Sequence, residues 1–174
     1  MDYFNFLLPT LEGLGRLGYW LVLLISFLES LPFIGTIFPG STLVIFAGLL
    51  ASQGHFSIFI LIFFAAVGAI LGDVLSYFLG TRGKDFFKNE NKFLKLSHLE
   101  KGEEFFRKHG NKSVFLGRFI GFLRPIVPFV AGLSKMDKAK FLLWNITSAF
   151  LWSIFYLSIG YFFGGAIDII GKAL

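Results

Sequence analysis

Hydrophobic residues run along most of the chain in segments that are separated by short polar or proline- and glycine-containing breaks. Two segments are uninterrupted, residues 58–79 and 141–163, and each is long enough to cross a bilayer as a helix, which needs about 20 residues. Two others, 16–52 and 113–134, are apolar at both ends and interrupted in the middle. The pattern predicts an all-α integral membrane fold with two full transmembrane helices and two re-entrant helical hairpins.

The segment 113–134, SVFLGRFIGFLRPIVPFVAGLS, combines two arginines, Arg118 and Arg124, with two prolines, Pro125 and Pro128. An arginine at the centre of a membrane helix costs about 2.5–3.5 kcal/mol on insertion scales, so its presence there indicates a function. Each proline removes a backbone donor, and irregular backbone at membrane depth is tolerated only where protein buries it or a wet cavity adjoins it. We therefore expect a hairpin that turns near Arg124 and Pro125 and keeps both guanidinium groups away from bulk water.

The segment 16–52 repeats this design, because an apolar arm that ends at Glu29 is followed by a break and a second apolar arm. The break contains Pro32, Pro39 and Gly40. The second arms of both hairpins reach the same Ala-Gly-Leu sequence, at 47–49 and 131–133. Interrupted helices in corresponding halves indicate a transporter-type site at the interface of the repeats, and kinked helices without a site are the alternative.

We thus predict one membrane domain, 1–174, made of two repeats, 1–80 and 81–174. Residues 1–15 mix apolar and charged residues, as an interfacial helix would, and a frayed terminus is an equal alternative. Residues 81–112 contain nine Lys or Arg against five Asp or Glu and include an amphipathic helical pattern, so the positive-inside rule makes them cytoplasmic. The turn after the second hairpin is also basic and the turn after the first is not, which indicates hairpins entering from opposite faces.

The two uninterrupted spans carry small and polar residues at helical spacing, which is typical of helix contacts in membranes. In the first span these residues are Gly68, Gly72, Ser76 and Gly80. In the second span they are Asn145, Ser148, Trp152, Tyr156, Gly160 and Gly164, and we expect packing to be their role. Asp73 is the one acidic residue of the first span, and it is a candidate either for function or for a buried hydrogen bond.

Four ionisable residues are therefore expected at membrane depth: Glu29, Asp73, Arg118 and Arg124. An arginine presents several donors in a planar fork and stays charged when desolvated, which suits a phosphate or carboxylate group. Glu29 and the two arginines are predicted to share a central cavity, where the glutamate would gate the site or couple it to protons. A Glu–Arg pair that only holds the two hairpins together is the structural alternative.

Composition narrows the class of protein. The chain is 55% hydrophobic, has 25 Phe and a mean hydropathy of +0.73, and its net charge of +5 is concentrated in one loop, which indicates contact with lipid head groups and not nucleic acid. It has no Cys, and its three His residues show no metal-ligand spacing. Because no catalytic set is recognisable, we expect no enzyme, cofactor or metal.

The motif GRFIGFLRPIVPFVAGLSKMDKAKFLLWN, together with FLESLPFIGTIFPGSTLVIFAGLLA and GAILGDVLSYFLGTRGK, closely resembles the DedA family of bacterial inner-membrane proteins, whose shared unit is the VTT or SNARE-associated domain. The resemblance covers nearly the whole chain. It implies two oppositely directed re-entrant hairpins and a role in moving lipids such as undecaprenyl phosphate or a phospholipid, with proton coupling proposed. The functional glutamate of the family falls on Glu29, and its paired arginines fall on Arg118 and Arg124.

The chain departs from the family pattern at two positions. Many members have an acidic residue directly after the Pro-Gly of the first hairpin, where this chain has Ser41, so a second carboxylate for proton coupling is missing unless Asp73 replaces it. Gly121 stands where relatives commonly have a proline.

Taken with the resemblance and the expected buried arginines, the sequence predicts a lipid transporter of the bacterial inner membrane that can form homo-oligomers. The alternatives are a proton-coupled carrier of small ions or solutes and a membrane scaffold.

Overall fold

A computed structural model describes residues 2–32, 34–35, 39–82 and 96–173. This part of the chain contains seven α-helices and a 3₁₀ turn at Gly110–Lys112. In chain order the helices are α1 (Asp2–Glu29), α2 (Gly40–Ser52), α3 (Ile58–Thr81), α4 (Leu96–His109), α5 (Ser113–Gly117), α6 (Val127–Leu133) and α7 (Lys138–Ala173). The all-α prediction is confirmed for these residues.

Helices α3 and α7 are the two described helices that are long and apolar enough to cross a membrane, as the hydrophobic pattern predicted. Both expose large apolar side chains on their outer faces, including Phe59 at 81% and Phe162 at 74% exposure. An apolar surface of this extent is unfavourable in water and favourable against lipid. Helix α2 has 13 residues and is therefore about 20 Å long, which is too short to cross the hydrocarbon core.

The first hairpin arm differs from the prediction. We expected an interfacial helix over residues 1–15 and a separate arm from Arg16, but α1 continues without a break from Asp2 to Glu29. Its 28 residues correspond to about 42 Å, so residues 2–15 and the arm from Arg16 form one helix. The predicted end of the arm at Glu29 is correct, and α7 extends beyond the expected span 141–163 at both ends.

The second hairpin is broken where the prolines predicted it. Helix α5 ends at Gly117 and α6 begins at Val127, and the residues between them form consecutive turns. Pro128 lies in the first turn of α6, where a missing N–H costs nothing because no helical acceptor precedes it. A side-chain carbon on Gly117 would collide with Val127, so α5 and the start of α6 lie against each other.

Of the predicted basic segment 81–112, residues 83–95 lie outside the described part of the chain.

Glycines bring the helices together at two crossings that have the same register. On α6, Gly132 faces the carbonyl of Tyr77, while Gly80 on α3 faces the carbonyl of Phe129. On α2 and α7 the corresponding contacts are Gly48 to Leu157 and Gly160 to Ile45. In each of the four contacts, the carbonyl belongs to the residue three positions before the opposite glycine.

The glycines of the two Ala-Gly-Leu sequences, Gly48 and Gly132, hold equivalent positions in these crossings. Each of the short helices packs against a long helix, α2 on α7 and α6 on α3. The remaining glycines of the first span, Gly68 and Gly72, lie against the backbone of α1 at Leu23 and Phe27. The predicted packing role of these glycines is confirmed, and no other residue type would allow backbones to approach so closely.

Candidate functional site

The four ionisable residues predicted at membrane depth lie together in the interior, between the ends of α1 and α2, the middle of α3 and the turns that follow α5. Their exposed fractions are 6% for Glu29, 2% for Asp73, 3% for Arg118 and 4% for Arg124. Two carboxylates and two guanidinium groups balance to a net charge of zero. Charges at this burial are stable only when they are paired and hydrogen-bonded, so the pairing defines the site.

Arg118 pairs with Asp73. The Arg118 Nη2 group donates to Asp73 Oδ2 and also to Asn145 Oδ1, the second contact at 2.5 Å. Asn145 is fully buried on α7, and its own amide nitrogen donates to the carbonyl of Ile70 at 3.3 Å. The amide orientation is thus fixed from α3, so its oxygen faces the arginine. This half of the site therefore joins α3, α7 and the α5–α6 turns.

Arg124 pairs with Glu29 and Ser41. Arg124 Nη1 lies 2.5 Å from Glu29 Oε1 and donates to Ser41 Oγ at 3.2 Å, while the Ser41 hydroxyl donates to the same glutamate oxygen. Ser41 sits in the first turn of α2, whose free N–H groups and dipole favour a carboxylate nearby. A side-chain carbon on Gly40 would overlap the Glu29 carboxylate, so the Pro39–Gly40 break makes room for this charge.

The indole of Trp152 covers the Arg124 guanidinium. The Arg124 Cζ atom lies 3.8 Å from the centre of the ring, and Trp152 is fully buried on α7, with Tyr156 at 5.2 Å between ring centres. A desolvated arginine over a tryptophan face gains about 2 kcal/mol from the interaction. The aromatic ring thus replaces part of the hydration that Arg124 loses on burial, without neutralising its charge.

Several polar atoms of this network have no hydrogen-bond partner among the described residues. The unpaired donors are Arg118 Nη1, Arg124 Nε, Arg124 Nη2 and Trp152 Nε1, and the unpaired acceptors are Glu29 Oε2 and Asp73 Oδ1. A buried polar group without a partner costs about 1–3 kcal/mol, and more when it is charged. The arrangement thus holds free N–H groups of both arginines in one interior region, and these donors suit the oxygens of an anion.

The structure brings all four predicted residues together, but in pairs that the sequence did not indicate. Glu29 was expected beside both arginines, and its ion pair in the structure is with Arg124; the ion-pair partner of Arg118 is Asp73. The sequence made Asp73 a candidate either for function or for a buried hydrogen bond. In the structure Asp73 forms a buried ion pair with Arg118, which is compatible with either role. A side-chain carbon added at Gly121 would meet no other atom within 4 Å, so the packing does not require glycine at this position.

Three residues of the network were missed as site residues: Ser41, Asn145 and Trp152. Ser41 was noted only as a missing acid, yet it bridges Glu29 and Arg124. Asn145 and Trp152 were assigned to helix packing. The available signal was a fully buried face of α7 on which an amide and an indole lie seven residues apart, about two helical turns.

No group of His, Asp or Glu able to hold a metal ion occurs among the residues for which the structure gives positions.

Two features define the class of protein: apolar helices long enough to span a bilayer, and a buried, charge-balanced network held between helix breaks. Such a combination is typical of integral membrane proteins that handle polar or charged cargo.

Comparison with known proteins identifies the family. Residues 38–162 match the VTT domain, so the chain belongs to this family of membrane proteins. It is 35% identical to Protein DedA of Escherichia coli K12 over 88% of this chain and 73% of that protein. It is 38% identical to the inner membrane protein YabI of the same organism, over 85% of this chain and 59% of YabI.

An uncharacterized membrane protein of Mycobacterium leprae is 34% identical to the chain, over 90% of this chain and 75% of that protein. No solved structure matches the chain. The family and its membrane location agree with the resemblance seen in the sequence. The cargo is a separate question, on which these names carry no information.

Proposed function

We propose that this protein is a lipid transporter that moves an anionic lipid, such as undecaprenyl phosphate or a phospholipid, across the bacterial inner membrane. The observation that carries the proposal is the pair of buried arginines with N–H groups that no described residue satisfies. A phosphate group offers several oxygens to such donors, and arginine binds it in a bidentate manner. The acyl or prenyl chains would stay in the bilayer beside the site.

The carboxylates act in this proposal as internal substitutes for the cargo. With no lipid bound, Asp73 and Glu29 neutralise the arginines and keep the interior stable. When a phosphate arrives, each carboxylate must release a guanidinium or take up a proton, because two anions competing for one cation in a dry interior is costly. Glu29 gates the site in this scheme, and Asp73 takes the place of the family acid that Ser41 replaces. Where the carboxylate takes up a proton as the phosphate binds, one proton accompanies each phosphate, and this step would couple transport to protons.

The hairpin breaks supply the movement that such an exchange requires. Arg118 and Arg124 lie in the turns between α5 and α6, and Glu29 lies at the last residue of α1, so three of the four charges are at helix ends. We place both hairpins as re-entrant segments, with residues 81–112 on the cytoplasmic side. The short α2 and the break after Gly117 support this arrangement. No chemistry on the cargo is invoked, so the protein acts as a transporter and not as an enzyme.

Transport is testable with unmodified undecaprenyl phosphate in liposomes that contain the purified protein. An impermeant phosphatase added outside hydrolyses the phosphate monoester only in the outer leaflet, so phosphate release beyond the outer pool reports movement across the bilayer. We expect complete release with the wild-type protein and release limited to the outer pool with Arg124→Gln. Arg107→Gln, which removes an exposed arginine of α4, is the matched control and should retain wild-type rates.

Three results would overturn the proposal. Movement of lipid by Arg118→Gln and Arg124→Gln at the wild-type rate would remove the arginines from the mechanism. Proton-driven uptake of a small ion or solute without lipid movement would instead establish the carrier alternative. A scaffold predicts a third result, in which lipid never moves and the substitutions matter only when the protein fails to accumulate.

A further inference from the structure

A pocket of about 570 Å³ lies at a corner of the molecule that is separate from the charged network. We call it the basic corner pocket. It is lined by Lys108, His109, Asn111, Lys112, Leu116 and Trp144. These residues come from the end of α4, the 3₁₀ turn, α5 and the first turns of α7, so the pocket forms where three helices meet.

The lining of the pocket combines polar and apolar side chains. Lys112 ends the 3₁₀ turn before α5, and Leu116 lies four residues later within α5, where its apolar side chain is exposed. Trp144 lies six residues after Lys138, the first residue of α7, which is about 9 Å along the helix axis. Tryptophan is enriched in membrane proteins at the level of lipid head groups, and the Trp144 ring packs edge-on against Phe115 at 6.0 Å between ring centres.

The polar half of the pocket is cationic. Lys108 and Lys112 are exposed, and Asn111 lies between them in the sequence. His109 is fixed beside them, with its Nδ1 group donating to the carbonyl of Phe105 at 3.0 Å and its ring 4.3 Å from that of Phe105. The acidic residues of α4 line a different pocket, formed by Glu100, Glu103, Glu104 and Arg107. Positive charge is therefore concentrated at the corner that contains the tryptophan.

We infer that the basic corner pocket binds the head group of an anionic phospholipid at the bilayer surface. The phosphate lies against Lys108 and Lys112, and the glycerol and first acyl carbons lie against Leu116 and Trp144. A free phosphate ion would use the lysines and leave the apolar half empty, so the pocket fits a lipid better than an ion. Trp144 directly precedes Asn145 in the chain, and Asn145 accepts a hydrogen bond from Arg118 in the charged network. The inference depends on the membrane location and not on transport.

Lipid binding to the purified protein tests this inference. Native mass spectrometry of the delipidated protein would compare phosphatidylglycerol with phosphatidylcholine as probes, in the wild type and in the double variant Lys108→Gln/Lys112→Gln. Each lysine near an anionic head group contributes about a fivefold gain in affinity, so we expect about a 30-fold loss of phosphatidylglycerol binding and little change with phosphatidylcholine. Lys101→Gln/Arg107→Gln, which removes the same charge from exposed positions of α4 outside the pocket, should bind as the wild type.

A second substitution distinguishes a lipid-binding pocket from general attraction of anionic lipids to a positively charged surface. Trp144→Ala leaves both lysines and should also weaken phosphatidylglycerol binding, whereas inorganic phosphate at millimolar concentration should not compete. The basic last turn of α4 also complements the helix dipole, so thermal stability is measured for each variant. Unchanged phosphatidylglycerol binding in the lysine variant, equal loss in the control, or displacement by inorganic phosphate would overturn the inference. Binding here by a protein that moves no lipid would refute the proposed function alone.

Discussion

Substituting Asp73 by Asn tests whether Arg118 is a buried charge that depends on its partner. The change keeps the size of the side chain and removes its negative charge. Arg118 then keeps its hydrogen bond to the neutral Asn145 oxygen, in a place where its side chain is 2% exposed. Removing one partner of a buried ion pair costs about 3–5 kcal/mol, because the remaining charge is left uncompensated.

This cost is measurable as a shift in the midpoint of thermal unfolding in detergent, followed by tryptophan fluorescence at one heating rate. For a chain of this length, 1 kcal/mol corresponds to about 2–4 °C, so we expect the midpoint to fall by about 6–20 °C. Asp73→Asn/Arg118→Gln removes both charges and should recover at least half of the loss. Glu104→Gln, at an exposed position of α4, should shift the midpoint by less than about 2 °C.

Transport by the same variants distinguishes an Arg118 that binds the cargo from an Arg118 that only stabilises the packing of the helices. If the pair only holds the helices together, the double variant recovers transport along with stability. If Arg118 binds the cargo, the double variant is stable and inactive. A midpoint within about 2 °C of the wild type for Asp73→Asn, or a double variant no more stable than the single one, would refute the reasoning about the buried charge.

Four further predictions follow from single contacts, each measured by the same unfolding and phosphatase assays. Ser41→Ala removes the hydroxyl oxygen that accepts a hydrogen bond from Arg124. We expect it to lower the free energy of unfolding by about 1–3 kcal/mol and to slow transport. Trp152→Leu should destabilise the protein more than Trp152→Phe, which keeps an aromatic face; equal effects would exclude the ring interaction. Gly40→Ala should abolish transport despite the higher helix propensity of alanine, because its side chain would overlap the glutamate; a stabilised, active variant would contradict this. Gly132→Leu should prevent folding, whereas Gly121→Ala should be tolerated, since a side-chain carbon there meets nothing within 4 Å.

The sequence indicated which charges matter, because the cost of burying them is a local property of an apolar segment. Arg118 and Arg124 stand out within segment 113–134, and Asp73 within span 58–79, without any knowledge of their neighbours. Their pairing was beyond the same reasoning, since Asp73 and Arg118 are 45 residues apart in the chain and the basic segment 81–112 lies between them. Which carboxylate meets which arginine depends on how α3 packs against α6, and no residue pattern within one segment records that packing.

The neutral members of the site were harder to recognise for a related reason. Ser41, Asn145 and Trp152 carry no charge, so burying them costs less than burying an ion, and their presence in an apolar segment does not by itself indicate a site. Each is equally compatible with helix packing until its partner is known. The length of α1 was mispredicted because Pro9 and the acidic residue Glu12 suggested a separate element, yet α1 passes through both residues without a break.

The exchanged glycine crossings have a consequence for how the chain can move and assemble. Since α2 is locked to α7, and α6 to α3, neither half of the polypeptide encloses its own short helix. Fragments 1–82 and 83–174 should therefore be insoluble or degraded when made separately, and should recover function when made together. For the same reason, tilting one long helix should carry along a short helix from the opposite half of the chain.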